Sequence, residues 1–428
     1  MVTTQREQRG FRLDWITIIL FLLLVVFGWL NILSASHQGE ITNYFDMDQP
    51  FGKQAFFIIL TIALVILTLA IEAKFYERFA SIIYFITLLS LVGLFIFGKT
   101  VNGATSWYAI GGMTLQPSEF AKFATSLAVA KYISDLQTNI TTLKDQLRTV
   151  AIIVIPAILI LLQNDAGSTV VYASFFFVFY REGLQRIYLI IGVVIIILSI
   201  LVLKFGIIVT SISTAAIVFG LHFFGKRKRP MLIETLSVLV LCVAFSFGVK
   251  YFYDNVLKEH QKDRISLWLR LETDPEKLQE MKQTILYNLN ESEKAISSGG
   301  LSGKGFLQGT RTTGKFVPEQ HTDYIFSTVG EEWGFIGSAL VVILFVALLT
   351  RILYLAELQK SQFSRVYGYC VASILFIHFM INIGMVMGLI PTIGIPLPFF
   401  SYGGSSLWGF TLLLFIFVKL DSNRLYEW

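Results

Sequence analysis

Charged residues are scarce in this chain. Asp, Glu, Lys and Arg make up 15% of its 428 residues, whereas about 25% is usual in soluble globular proteins. Apolar residues make up 55%, and the mean hydropathy is +0.67. The few polar residues are concentrated in short segments, although a soluble protein of this size needs them on every element. These values exclude a disordered chain and a nucleic-acid-binding module, and they predict a polytopic, all-α membrane protein.

Cysteine is also nearly absent. Cys242 and Cys370 are the only two, and each lies within an apolar run. A disulfide scaffold and a thiolate metal site are therefore excluded, and we expect both residues to pack as small core hydrophobes.

Long apolar runs dominate the rest of the sequence. A helix needs about 20 apolar residues to cross the hydrocarbon of a bilayer, and shorter runs often border a cavity. We predict twelve spans, at residues 15–34, 54–72, 79–97, 118–133, 149–162, 167–180, 187–203, 206–224, 231–253, 323–349, 366–388 and 402–418.

The distribution of basic residues predicts the orientation. With the amino terminus placed inside, the inside segments contain many Lys and Arg residues, whereas the short outside loops contain only Lys53, Lys99 and Lys204. This bias predicts that both termini are cytoplasmic. We therefore divide the chain into an N-terminal membrane region (1–253), a large extracytoplasmic loop (254–322) and a C-terminal membrane region (323–428).

The segment 102–122 contains the first group of polar residues. Pro117 is typical of a helix start, and Glu119 and Lys122 then share one helix face. Such charges at a membrane boundary either form a structural ion pair or line a polar cavity that meets an anionic ligand. Trp107 belongs either to the interfacial aromatic belt or to a site where it stacks on a substrate ring.

Two further acids stand in predicted loops. Asp165, in the segment 163–168, is either a helix N-cap or a site residue. Asp274 precedes Pro275, so it is either a cap of the following helix or a carboxylate held over the membrane surface as a general base. Residues 275–296 look helical, and residues 297–315 look like a loop.

The remaining polar residues flank the last three predicted spans. His321 and Asp323 precede the first of them, but one histidine with scattered carboxylates is not a metal-ligand set. Glu331 and Glu332 lie in an apolar helix, so at least one should face the bundle interior. Three prolines between positions 391 and 398 prevent a helix there and predict an outside loop.

These blocks together resemble the SEDS family of bacterial cell-wall proteins, the RodA/FtsW/SpoVE group. The similarity rests on the motifs QPSEFAK, SSGGLSGKG, PEQHTDYIF, GEEWGFIG and IPLPFFSYGGSS, which occur in the expected order over nearly the whole chain. The third and fifth motifs look closer to the elongation members than to the division members.

The resemblance implies an enzyme that polymerises lipid II, a polyprenyl-diphosphate-linked disaccharide peptide, at the outer face of the bacterial cytoplasmic membrane. It implies as partners a class B penicillin-binding protein and other membrane proteins of the elongation complex. Asp274 would be the general base. The expected substrate-binding residues are Trp107, Glu119, Lys122, Asp165, His321, Asp323, Ser401, Gly403 and Gly404.

In this hypothesis Lys122 helps to stabilise the leaving diphosphate and Glu119 orients it. A divalent cation (Mg²⁺ or Mn²⁺) could share that task, although the sequence shows no ligand set and no other cofactor. The chain departs from the family's usual ten spans by a probable extra pair within 187–253. A lipid II flippase is the competing function, and a structural scaffold is a third.

Overall fold

A computed structural model gives the fold and describes residues 13–37, 43–101, 103–110, 113–224, 232–271, 274 and 287–424. Helices dominate it. The first nine are α1 (Trp15–Ser36), α2 (Pro50–Ala70), α3 (Ala73–Phe97), α4 (Pro117–Ile133), α5 (Leu143–Leu162), α6 (Ala166–Val171), α7 (Phe175–Arg181), α8 (Arg186–Phe224) and α9 (Leu232–Asn255). The others are α10 (Glu259–Leu269), α11 (Tyr287–Gly299), α12 (Thr310–Thr313), α13 (Ile325–Glu332), α14 (Gly334–Glu357), α15 (Gln362–Val386) and α16 (Gly404–Asn423).

Nine of the helices in the described parts of the chain are long and apolar enough to cross a membrane. They are α1, α2, α3, α5, α8, α9, α14, α15 and α16. The chain is therefore a multi-pass membrane protein with a mostly helical fold, as the composition predicts.

The predicted spans differ from the helices mainly where the backbone breaks. The run 167–180 forms two short helices joined by a 3₁₀ turn. By contrast, the two predicted runs 187–203 and 206–224 match the two helical parts of α8, which is interrupted at Gly206. The run 323–349 is split between α13 and α14 at Gly334, which has a φ of +63°. Glycine tolerates this left-handed conformation, so a helix can be broken there without a change in hydropathy.

The expectation of an all-α fold is wrong in one segment. Residues 99–115 form a small antiparallel sheet of β1 (Lys99–Val101), β2 (Ala104–Ile110) and β3 (Met113–Leu115), in the order β1-β2-β3. β-Branched and aromatic residues favour strands. Asn-Gly and Gly-Gly between such residues are strong hairpin signals. The sheet leads directly into α4 and holds Trp107 on its central strand.

The chain divides into two compact units. The first contains residues 1–184, 291–389 and 393–428, and the second contains residues 185–290 and 390–392. In the first unit, α4 packs against α3, α15 and α16, and its side chains are buried along nearly its whole length. In the second unit, α8 packs against α9 and α10.

Cys370 is buried, as expected for a small core residue, whereas Cys242 on α9 is only partly buried. The predicted helix at 275–296 is confirmed from Tyr287 onwards, and residues 275–286 lie outside the described part of the chain. The predicted loop at 297–315 begins with the last three residues of α11 and contains the short helix α12.

Candidate functional site

A cavity of about 610 Å³ lies within the first unit. It is bounded by the small sheet, by the amino-terminal turns of α2, α4, α6 and α16, and by the segments that precede α13 and α16. Its lining comprises Met47, Lys53, Phe57, Trp107, Thr114, Gln116, Glu119, Asp165, Ser168, Glu319, Thr322, Asp323, Gly394, Ile395, Pro396, Tyr402, Gly403, Gly404, Ser405 and Ser406.

The cavity brings together residues that are far apart in the sequence. Six of the expected substrate-binding residues line it, namely Trp107, Glu119, Asp165, Asp323, Gly403 and Gly404. Glu119, Asp323 and the two glycines come from three of the motifs that carry the resemblance, and Trp107 and Asp165 come from two further polar segments. The cavity therefore joins these separate segments, and the role of each residue stays a prediction.

Glu119 and Lys122 form an ion pair beneath the cavity. Their Oε2 and Nζ atoms are 2.8 Å apart, and both side chains are 2% exposed. The Lys122 Nζ also lies 3.0 Å from His378 Nε2 and 4.5 Å from the centre of the Phe410 ring. Glu119 reaches the cavity and Lys122 lies deeper, so the two readings of the pair, structural and cavity-lining, each hold for one partner.

His378 links this pair to the proline-rich loop. Its Nδ1 lies 3.2 Å from the main-chain oxygen of Pro396, which lines the cavity. Because a carbonyl oxygen can only accept a hydrogen bond, Nδ1 of His378 carries the proton. Nε2 is then unprotonated and accepts a hydrogen bond from the Lys122 ammonium. This arrangement defines a neutral histidine that holds the loop and the lysine together.

Asp165 is both a helix cap and a cavity residue. Its Oδ1 accepts a hydrogen bond of 3.0 Å from the Ser168 N–H at the start of α6. Its Oδ2 accepts one of 3.0 Å from Gln116 Nε2, at the start of α4. The carboxylate therefore joins the amino-terminal ends of two helices at the cavity wall, and neither alternative for this residue excludes the other.

Asn382 organises the opposite wall. Its Nδ2 donates to the main-chain oxygens of Asp323 and Ile395, both at 2.8 Å. Gly394 stands between these two with a φ of +78°, and a Cβ there would lie 3.1 Å from an Asp323 carboxylate oxygen. A glycine is therefore needed both for the turn and for the approach of the acid.

The loop before α16 is held by Ser401 and Gly403. The Ser401 hydroxyl donates to the Thr322 main-chain oxygen at 2.7 Å and accepts from the Leu397 N–H at 2.9 Å. Gly403 has a φ of +150°, and its N–H donates to Gln54 Oε1 at 3.1 Å. Ser401 is 2% exposed, so its observed contacts are those of a residue that shapes the loop.

His321 lies beside a second, smaller cavity of about 170 Å³. Its main-chain oxygen accepts a hydrogen bond of 2.9 Å from the Tyr402 N–H, and the two rings are 5.4 Å apart. Burial lowers the pKa of His321 below its ordinary value, with a smaller lowering from Lys315 and an opposing effect of Glu319. Because Glu319 lines both cavities, this segment forms the wall between them.

Glu331 and Glu332 are both buried, which confirms that acids of this helix face the interior. Glu331 accepts hydrogen bonds from the Thr312 N–H at 2.8 Å and from Lys304 Nζ at 2.6 Å. Glu332 accepts from Ser34. The first two contacts join the segment 304–312 to α13, and the third joins α13 to α1.

Asp274 belongs to the second unit, where it is exposed. The cap that it would form lies outside the described residues, because the structure does not describe residues 275–286. Its assignment as general base stays a prediction. In the same unit, Arg264 Nη1 donates to the main-chain oxygen of Thr392 at 3.0 Å.

Several residues that line the cavity or lie behind it were missed by the sequence reasoning. Lys53 was counted only as a loop lysine, although its place at the polar start of an apolar helix could have marked it. Glu319 stands in the same motif as His321 and Asp323. His378 gave no signal, because a single histidine in an apolar run is most often a core residue.

The site can bind a polar ligand through carboxylates, amides, hydroxyls and one lysine, with Trp107, Phe57 and Tyr402 offering aromatic surface. No group of three or more His, Cys, Asp or Glu side chains is placed to hold a metal ion within the part of the chain that the structure describes.

Comparison with known proteins places this chain among relatives of similar length. Peptidoglycan glycosyltransferase MrdB of Escherichia coli is 31% identical over 396 residues, covering 92% of this chain and 90% of that protein. Peptidoglycan glycosyltransferase RodA of Treponema pallidum is 29% identical over 444 residues, covering 96% of this chain and 98% of the relative.

Two solved structures share the fold. A chain from a peptidoglycan synthase complex superposes with a TM-score of 0.70 at 24% identity, covering 97% of this chain and 99% of that one. The rod shape determining protein RodA of Thermus thermophilus superposes with a TM-score of 0.63 at 22% identity, covering 98% and 100%. The family model FtsW/RodA/SpoVE, described as cell cycle protein, matches residues 14–211 and 205–426. This chain therefore belongs to the FtsW/RodA/SpoVE family.

Proposed function

We propose that this chain is a peptidoglycan glycosyltransferase that polymerises lipid II during cell elongation. The observation that carries the proposal is the cavity, which gathers residues from three separated family motifs, together with Trp107 and Asp165, into one polar site. The relatives that span nearly the whole chain are named as peptidoglycan glycosyltransferases, which supports the proposal. They do not favour the flippase alternative.

The reaction joins two lipid-linked sugars. The 4-hydroxyl of the acceptor GlcNAc attacks C1 of the donor MurNAc, the polyprenyl diphosphate leaves, and the configuration at C1 inverts. One base is needed at the nucleophile, and cations or hydrogen-bond donors are needed at the leaving group. Asp274 is the proposed base, and general-base catalysis of this type contributes roughly 10²–10⁴ in rate.

The cavity supplies groups that suit the sugars. Trp107 offers an aromatic face to a sugar ring, and Asp165, Gln116 and Ser168 offer hydrogen-bond partners to hydroxyl and amide groups. Glu119 lies at the cavity with Lys122 behind it, so its charge is balanced before any ligand enters.

The finer topology is part of the proposal. We propose twelve spans with both termini cytoplasmic, an extra pair within 187–253 and an extracytoplasmic loop at 254–322, so that the cavity opens to the outer face of the bacterial cytoplasmic membrane. The break in α8 at Gly206 supports a division of the apolar run 187–224 into two segments.

The proposed partner is a class B penicillin-binding protein that crosslinks the new glycan, within a larger set of elongation proteins. The fold shared with a chain of a peptidoglycan synthase complex supports such an assembly. A divalent cation, Mg²⁺ or Mn²⁺, is proposed as an optional aid at the diphosphate.

The test is polymerisation of lipid II by the purified chain with its transpeptidase partner, read as glycan chains on a gel. Wild type should give polymer, and Asp274→Ala should give none while it remains folded and bound to the partner. Polymer from Asp274→Asn would contradict the base role. No polymer from a correctly assembled wild-type complex would contradict the enzyme function. Repeating the assay with a chelator tests the cation.

A further inference from the structure

The second, smaller cavity is not used by the proposed reaction. Its volume is about 170 Å³, and it lies in the first unit between the end of α1, the start of α2 and the segment 315–321. Gln320 fixes one wall, because its Nε2 donates to the main-chain oxygens of Ala35 at 2.6 Å and of Thr312 at 2.9 Å. The space exceeds the roughly 30 Å³ of one water, but it is smaller than the roughly 300–1,000 Å³ of pockets for drug-sized ligands. It therefore suits a single residue-sized group.

Two opposite charges line this cavity without pairing. Lys315 and Glu319 both belong to its lining, and both side chains are exposed. The Glu319 carboxylate accepts a hydrogen bond of 3.0 Å from the Thr322 hydroxyl. Neither charge forms an ion pair within the described residues. Burial lowers the pKa of His321, Glu319 raises this pKa and Lys315 lowers it, so both charges lie close enough to act on one imidazole.

The backbone holds both charged residues in a conformation that is uncommon for them. Lys315 has a φ of +52°, and Glu319 has a φ of +56°. Residues other than glycine seldom adopt this left-handed region, and those that do are concentrated at functional sites. Only six such residues occur in the described parts of the chain, and two of them line this one small cavity. The fold therefore maintains strain at the two positions that supply the charges.

The small cavity lies next to the site proposed for the sugars. Glu319 lines both cavities. His321 lines the small cavity, and its ring is 5.4 Å from the ring of Tyr402, which lines the large one. In lipid II the peptide is attached to the MurNAc sugar. When the sugars occupy the large cavity, the peptide must therefore begin beside it.

We propose that the small cavity binds the peptide of lipid II, with an ammonium group at Glu319 and a carboxylate at Lys315. The identity of the substrate rests on the proposed function. Opposite charges that line one cavity without neutralising each other are complementary to a ligand that carries both signs. A peptide with a free amino group and free carboxylates carries both. A lipid tail carries neither, and a diphosphate carries only negative charge.

The test measures binding of soluble muramyl peptides to the purified full-length chain in nanodiscs. Muramyl tripeptide with lysine as its third residue carries an ammonium group and carboxylates. Muramyl dipeptide carries a carboxylate but no ammonium group, and the methylamide of MurNAc carries neither. We expect the affinity to fall in this order.

The charge variants distinguish the two ends of the peptide. Lys315→Gln should weaken binding of both peptides by about fivefold, whereas Glu319→Gln should weaken binding of the tripeptide alone to a similar extent, from the usual strength of an exposed ion pair. Lys315→Arg should keep most of the affinity. Lys360→Gln, at an exposed lysine between α14 and α15, is the matched control and should bind like wild type.

Three results would overturn the peptide site: no binding of the tripeptide by wild type, equal affinities for the tripeptide and the methylamide, or wild-type affinity for the tripeptide in either Gln variant of Lys315 and Glu319. Lipid II polymerisation is measured on the same preparations with the transpeptidase partner. Polymer formation without charge-dependent peptide binding overturns the peptide site alone. Charge-dependent binding by a wild-type chain that forms no polymer keeps the site and overturns the proposed function.

Discussion

The helices around the cavity differ from those of the second unit in how they use their surface. In the most apolar 18-residue windows of α15 and α16, 78% and 72% of the residues are buried within the protein, against 11% in both α8 and α9. The buried helices are the less apolar ones, with window hydropathies of 1.9 and 1.4 against 2.9 and 2.2. In a membrane protein, high hydropathy thus marks the surface that lipid covers.

The physical reason is that lipid tails are as apolar as leucine, so apolar residues gain little by facing the interior. Close packing and polar contacts hold such helices together instead. On α15, His378 and Asn382 point inward and bond to other elements, and on α16 Gly409 allows the backbone of α4 to approach. The polar and small residues of an apolar run therefore identify the side that carries function.

We expect the largest loss of stability from Lys122→Met. It leaves Glu119 charged and buried without its partner, and breaking a buried pair in this way costs about 3–5 kcal/mol. The matched control is Lys250→Met on α9. Its pair with Asp254 is about half exposed, so its loss should cost at most about 1 kcal/mol.

Thermal unfolding in detergent measures both variants. The double variant Glu119→Gln with Lys122→Met should recover much of the loss, because no lone charge remains. Equal losses of stability in the Lys122 and Lys250 variants would contradict the distinction between the helices around the cavity and those of the second unit.

Truncation of apolar side chains should show the same contrast between the two regions, with slightly smaller losses of stability. Leu414→Ala on α16 removes a fully buried side chain and should cost about 2–5 kcal/mol. Ile208→Ala on α8 alters a residue that is 76% exposed, and should change stability by at most about 0.5 kcal/mol. A large loss at Ile208, measured by the same unfolding assay, would show that α8 is covered by protein.

Glycine substitutions probe packing directly. A Cβ at Gly409 would lie 2.8 Å from the main-chain oxygen of Glu119, so Gly409→Ala must displace backbone, which costs about 1–3 kcal/mol. At Gly248 on α9 a Cβ would meet nothing within 4 Å. Gly248→Ala should therefore be neutral, or stabilising by up to about 1 kcal/mol. Wild-type stability of the Gly409 variant would contradict the tight crossing of α4 and α16.

The smallest expected effect is a dependence of stability on pH, caused by His321 at the cavity wall. Burial lowers the pKa of His321 below its ordinary value of 6.5, so below that pH the unfolded chain binds more protons than the folded one. Stability should therefore fall as the pH decreases below about 6.5. His321→Gln should reduce this slope between pH 7.5 and 5.5, and an unchanged slope would assign it to other groups.

The sequence allowed the apolar helices to be predicted, because hydropathy and helix-start signals are local. The start of α4 at Pro117 and the inward-facing acids Glu331 and Glu332 are examples. The break at Gly206 falls beside the boundary between the predicted spans 187–203 and 206–224. The break at Gly334 could not be predicted, because the sequence does not distinguish a glycine with positive φ from one within a helix.

The site was predicted in part. Conspicuous motifs pointed to Trp107, Glu119 and Asp165, which line the cavity. Lys53 was missed because only the fold brings the start of α2 to the cavity that this residue lines. The depth of Lys122 was missed for the same reason, since helical spacing gives its face but not its neighbour His378.

The central claim is that the cavity of the first unit binds the sugars of the substrate. Its most direct test is lipid II polymerisation by the chain with its transpeptidase partner, comparing wild type, Trp107→Ala in the cavity and Ile208→Ala on α8. The account predicts glycan chains from wild type and Ile208→Ala, and a strong loss from a folded, partner-bound Trp107→Ala. Wild-type polymerisation by Trp107→Ala, or an equal loss in both variants, would contradict it.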